Sequence, residues 1–130
     1  VRAVLEGVTM NLRVILEAFR AQGAQIEAMR VIGGGARGRF WNQIMADIYG
    51  VPVQRLAILE EATSMGAALA GGVGVGLYKD FGMSETMNAI AEEIRPNPAA
   101  QAAYAKAYPI FEAAYQALLP VYDMLAEAGL

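Results

Sequence analysis

The sequence predicts an α/β domain on three observations. As far as Gly76 the pattern runs helix, strand, helix, strand, helix. Strands separated by single helices imply short parallel strands with right-handed crossovers and flanking helices. Three successive glycines, Gly33, Gly34 and Gly35, stand where the first strand gives way to the second helix. From Asn97 onward the pattern becomes helical and aromatic, a C-terminal extension of different character.

In the first helix Val1, Val4, Leu5, Val8, Leu12, Ile15, Leu16 and Phe19 recur at intervals of three and four, one apolar stripe that Gly23 ends. Residues 28–33 then read as a short strand. Residues 40–49 read as a helix with Phe40, Ile44, Met45 and Ile48 turned inward, and Gly50 terminates it. Residues 51–56 form the second strand candidate, with Pro52 near its start, where a missing N–H does least harm. The third helix, from Thr63 to about Val73, is built on Gly66, Ala67, Ala68, Ala70 and Gly71, which permit close approach to a neighbour.

Beyond Gly76, Ser84 is expected to open a short helix reaching Glu93. Asn97-Pro98 has the form of an N-cap followed by proline at the first helical position. Tyr104, Tyr108, Phe111, Tyr115, Leu118, Leu119 and Tyr122 continue as a helical stripe, read as core or interface. Pro109 and Pro120 fall inside it, so a bent helix with a kink or break at each is expected. Two strands cannot bury three amphipathic helices. That shortage, with Val1 rather than methionine at the start, leads to the expectation of a piece of a longer chain. Such a piece should self-associate through an uncovered strand edge and the apolar face of the first helix.

Composition narrows the chemistry. Among 130 residues there is no cysteine and no histidine, which removes thiol nucleophiles, disulfides, imidazole bases and ordinary zinc sites. A net charge of −3 without a basic run argues against nucleic acid or an anionic membrane as partner. No apolar stretch is long enough to span a bilayer and no signal segment opens the chain, so a cytoplasmic protein is expected. No pair of carboxylates is spaced for acid/base work, and Glu6 beside the first stripe reads as a surface or paired carboxylate. No catalytic residue and no metal ligand is assigned.

The glycine segment is the candidate site. Gly33-Gly34-Gly35-Ala36-Arg37-Gly38 follows a strand and opens a helix, placing bare backbone and unpaired helix N–H groups together. Its spacing admits three readings: a nucleotide-binding turn, a purely structural tight turn, or a dinucleotide fingerprint. The last also wants an acidic residue at the next strand's end. That strand ends in Arg55 and Leu56, with Glu60 and Glu61 displaced into the following loop. Trp41 reads as a core or interface anchor.

Taken together, residues 3–8, Ile32-Gly-Gly-Gly-Ala-Arg37, the run from Trp41 to Val53, and Glu61-Ala-Thr-Ser-Met-Gly-Ala-Ala-Leu69 resemble the C-terminal part of xylulokinase-like members of the FGGY carbohydrate kinase family. The resemblance covers residues 1 to about 76 and, more loosely, the aromatic tail. It implies an actin-like, ribonuclease H-like ATPase fold, in which ATP and a sugar meet in a cleft between two domains. Residues 1–78 would be part of the nucleotide-binding domain and residues 79–130 its helical C-terminal extension. The resemblance places the adenosine contacts on Gly34, Gly35 and Ala36, with Arg39 reaching toward base or ribose. Glu61, Ser64 and Gly66 would support the nucleotide side, mainly through helix packing. The parent would phosphorylate a ketose such as D-xylulose with ATP and magnesium, whose ligands, like the catalytic aspartate, would lie outside this chain. The chain alone would bind without catalysing. A non-catalytic helical interaction module with a structural glycine turn is the alternative from another class, and a Rossmann-type dinucleotide-binding domain a third.

Overall fold

The computed structural model describes residues 1–129. Helix α1 (Arg2–Ala21) leads to strand β1 (Met29–Val31), a 3₁₀ turn (Gly34–Arg37) and helix α2 (Arg39–Tyr49). Strand β2 (Val53–Leu56) and helix α3 (Ala62–Gly74) follow. A second 3₁₀ turn (Phe81–Met83), the single-turn α4 (Ser84–Met87), strand β3 (Ile90–Ile94) and helix α5 (Pro98–Glu127) complete the described chain.

Among the described residues the strands form a three-stranded sheet of order β1-β2-β3. β1 and β2 are parallel, Met29 opposite Val53 and Val31 opposite Arg55, as two βα units in series require. β3 runs antiparallel to β2, Val53 opposite Ile94, with an irregularity between Arg55 and Leu56. The helix expected from Ser84 to Glu93 is therefore corrected. It stops at Met87, and residues 90–94 enter the sheet. Asn88 makes the change of direction: its side chain accepts from the Ile58 N–H at 2.9 Å and donates to the Ile58 carbonyl at 2.7 Å. These bonds tie the chain to a residue 30 positions earlier, just past the end of β2, where a continued helix could not reach.

The core lies where α2 packs between the sheet, α1 and α5. Ile44, Met45, Ala46, Ile48 and Tyr49 are buried there with Val53, Ile94, Met10, Leu16, Tyr104 and Tyr108. Gly50 closes α2 in the left-handed conformation, φ 70°, its N–H on the Ala46 carbonyl at 2.9 Å. Two arginines of α1 complete that helix end. Arg13 donates to the Ile48 carbonyl at 2.9 Å and Arg20 to the Tyr49 carbonyl at 3.2 Å, cations at the negative end of the helix dipole. Asp47 accepts from the Asn97 N–H at 2.7 Å, and Asn97 caps α5 through Ala99 and Ala100. A second tie joins α1 to α5. The Glu6 carboxylate accepts from Tyr104 at 2.6 Å and from Arg2 at 2.8 Å, and these bonds hold it below the usual carboxylate range. Glu6 is thus the paired carboxylate the sequence implies.

Four expectations change in detail. The stripe of α1 splits into two rows. Thr9, Met10 and Leu16 are buried with Leu5 half-buried, whereas Val4, Val8, Leu12, Ile15 and Phe19 on the adjoining arc are exposed. Phe40, expected inside, is exposed on the first turn of α2 with the Arg2 guanidinium 5.8 Å over its ring. The small residues of α3 from Gly66 to Gly71 are exposed apart from Leu69. The close approach occurs instead at Gly72, which packs on the Tyr78 ring. Finally, α5 is continuous through Pro109 and Pro120 rather than broken. Each proline forfeits a bond to the carbonyl four residues earlier, on Ala105 and Gln116; both residues are exposed, so water can take the place of the lost donor.

Candidate functional site

Gly33, just past the end of β1, has φ 74° and ψ −166°, a conformation that only glycine adopts without strain. Its N–H donates to the Leu59 carbonyl at 3.1 Å and its carbonyl accepts from the Ala36 N–H at 3.1 Å, so the chain folds into the 3₁₀ turn. Gly38 is extended and precedes α2. The glycine run thus does not lead straight into the helix. A separate turn lies between them.

The three turn residues singled out in the sequence differ in access. At Gly34 a Cβ would meet nothing within 4 Å, and the residue is exposed. At Gly35 a Cβ would come within 3.0 Å of the Trp41 ring, so that glycine lets the turn lie on an indole. Ala36 is only 1% exposed, its carbonyl accepting from the Asn42 side chain at 2.8 Å. Outward contact is therefore concentrated at Gly34 and its peptide planes. Trp41 is the anchor expected, its indole N–H donating to the Thr9 hydroxyl at 3.0 Å.

Arg39 opens α2 and is exposed, but it is turned toward β3. Its guanidinium meets Glu92 at 3.0 Å, and Glu92 also pairs with Arg55 at 3.3 Å. Arg37 pairs with Glu60 across the gap to the β2–α3 loop. Glu60, one of the two acidic residues displaced into that loop, is thereby engaged by Arg37. Ser64 donates to the Glu61 carbonyl at 2.8 Å and belongs to the first turn of α3. By strand alternation Ile32 and Leu56 face away from α2. With Met65, Leu69 and Met87 they line an apolar cleft of about 170 Å³ between sheet and α3. Among the described residues no group of three or more His, Cys, Asp or Glu is placed to hold a metal, so no magnesium step is assigned to them. No described helix is long and apolar enough to cross a membrane.

Two residues at this site escape a reading by motif. Asn42 sits among apolar positions of α2, and a polar residue on an otherwise buried face was the signal for it. Glu92 lies in the segment read as helix, and no pattern pointed to it.

Residues 1–75 match the C-terminal domain of the FGGY family of carbohydrate kinases. A xylulose kinase of Staphylococcus epidermidis is 37% identical over 116 residues, covering 88% of this chain and 23% of that protein. An autoinducer-2 kinase of Yersinia enterocolitica is 38% identical over 102 residues, covering 78% of this chain and 19% of that protein. A ligand-bound xylulose kinase from Lactobacillus acidophilus superposes with a TM-score of 0.85 at 24% identity, over 95% of this chain and 25% of that one. The chain belongs to the FGGY carbohydrate kinase family, whose C-terminal domain it represents, with the actin-like ATPase fold of those enzymes. It spans about a quarter of the length of these relatives or less. Family membership replaces the dinucleotide reading of the glycine turn.

Proposed function

We propose that this chain forms the adenosine side of an ATP site in a cytoplasmic sugar kinase, one that transfers the γ-phosphoryl of ATP to a hydroxyl of a ketose such as D-xylulose. One observation carries the nucleotide assignment: the glycine turn is tied down at Gly33 and Ala36 and backed at Gly35, while at Gly34 it is open. Backbone N–H groups held in place, with no side chain in front of them, fit a nucleotide's sugar and inner phosphate. Gly34 and Gly35 would lie against the ligand through their peptide planes, Ala36 through backbone only, and Arg39 after exchanging Glu92 for base, ribose or phosphate. The ketose assignment is supported by the xylulose kinases among the relatives.

The reaction asks for positioning and charge neutralisation more than covalent chemistry. ATP bound with magnesium supplies the transferable phosphoryl group. This chain's part is to bind and orient the adenosine end. Titration of the 130-residue chain with ATP, ADP and NAD, read by amide exchange, tests the reading. Saturable protection at residues 34–39 with ATP or ADP is expected, and no phosphorylation of xylulose in a coupled assay. Absence of protection by either adenine nucleotide overturns the site, and preference for NAD overturns the ligand class.

A further inference from the structure

We propose that Asn42 is a positioning residue for the nucleotide: it ties the Ala36 carbonyl from within α2 and, with Trp41 behind Gly35, holds the glycine turn in one shape. This rests on the ATP-site reading above and adds to it a residue that touches the turn rather than the ligand.

Asn42 holds the C-terminal side of the turn to α2. Its backbone N–H donates to the Gly38 carbonyl at 3.0 Å and its side-chain amide to the Ala36 carbonyl at 2.8 Å. The residue is 0% exposed, and its Oδ1 has no partner among the described residues. A buried acceptor left unpaired costs free energy, and leucine has nearly the same shape without that cost. Leucine would also leave the Ala36 carbonyl, in a residue only 1% exposed, without its donor, so what asparagine secures at this position is the bond to Ala36. Trp41 braces the neighbouring residue. Its ring lies against Gly35, and its tilt is set from α1, because the Thr9 hydroxyl accepts from the indole N–H and itself donates to the Leu5 carbonyl at 2.7 Å. A turn containing two adjacent glycines has much backbone freedom to lose on binding. Ties from behind remove that freedom beforehand, which is preorganisation.

The test compares the 130-residue chain with Asn42→Leu, which keeps the shape and removes both donor and orphan acceptor. ATP affinity is read by calorimetry, turn mobility by amide exchange at residues 34–37, and stability by thermal unfolding. The expected result is a roughly tenfold weaker dissociation constant for ATP, equivalent to about one preorganising hydrogen bond. Faster exchange confined to the turn and a nearly unchanged melting temperature should accompany it. Should Asn42→Leu not fold, Asn42→Ser, too short to reach Ala36, reads the same quantities. Unchanged affinity in a variant of a chain that binds ATP overturns the positioning role alone. So does a loss of affinity that merely tracks a loss of stability. A native chain that fails to bind ATP overturns the site reading and this role with it.

Discussion

Helices α2 and α3 each follow one strand of the parallel pair, yet they have opposite fates. In α2 seven of the last eight residues, Asn42 and Ile44 to Tyr49, are buried. In α3 only Leu69 and Gly72 are. The difference follows from pattern rather than apolar content. α2 carries its apolar residues on one face and hydrogen-bonds the two polar ones it buries, Asn42 and Asp47, so a single orientation buries that face against β2, β3, α1 and α5. α3 is apolar and small all round, so its sequence specifies burial without saying which side. Apolar composition tells how much surface wants cover; periodicity tells where the cover sits.

The largest break in this contrast should come from Ile48→Ala. Ile48 is 1% exposed in the last turn of α2, within the main core, and the substitution should cost about 3 kcal/mol from lost transfer energy and the cavity left behind. Leu69→Ala in α3 should cost less, since Leu69 lies outside the main core cluster. Denaturant titration of both variants checks the ranking, and equal losses would remove the distinction between the two helices.

Next in size is Gly72→Val, because there α3 packs its backbone against a ring. The new side chain must displace Tyr78, at about 1–3 kcal/mol for overpacking. Tyr78→Ala in the same chain should recover part of the loss. A Gly72→Val chain as stable as the parent would mean that Tyr78 swings away freely.

The third prediction concerns pH and sharpens the account of α2. Burial pushes the Tyr49 hydroxyl up to about 12 from an ordinary value of 10. The folded state therefore favours the neutral phenol, while the unfolded chain ionises first. The sign follows: Tyr49's contribution is intact below pH 10 and is lost as pH rises from 10 to 12. Stability measured across that window should fall less steeply in Tyr49→Phe than in the parent, and an identical slope would show that Tyr49 does not set it.

The smallest effect expected is a gain. Gly66 lies exposed in α3 with nothing within 4 Å of a Cβ, so Gly66→Ala should stabilise by about 0.5–1 kcal/mol through helix propensity and reduced unfolded-state entropy. Thermal melts at matched concentration check it. A loss of stability would mean that the α3 surface is more crowded than it stands here.

How much of this was legible in the sequence can be traced residue by residue. The spacing of Ile44, Met45 and Ile48 placed α2 and its inner side, and Gly50 its end, because those signals are local. Asn97-Pro98 located the start of α5 for the same reason. β3 was not legible: residues 90–94 alternate too little to announce a strand, and what makes them one is pairing with β2, a partner far along the chain. The continuity of α5 was hidden as well, since a proline's cost depends on whether water reaches the carbonyl it abandons. At the site, the four blocks around the glycine run placed the chain in its family. Motif reading could not show that Gly35 and Ala36 face inward, because that follows from Trp41 and Asn42 lying behind them. Nor could it pair Arg39 with Glu92, two residues joined only by the fold.

The Glu6–Tyr104 bond carries a kinetic consequence. It joins positions 98 residues apart, bridging α1 and α5 across everything that folds between them. A contact of that span closes a long loop, and the entropy of closure is repaid only once the intervening elements are in place. Helices α1 and α2 can meet early, and β1 can find β2 over a short crossover. The clasp between Glu6 and Tyr104 has no such shortcut, so its formation is expected late in assembly. A probe at Tyr104 would then report a late stage of folding, while a probe in α2 would report its beginning.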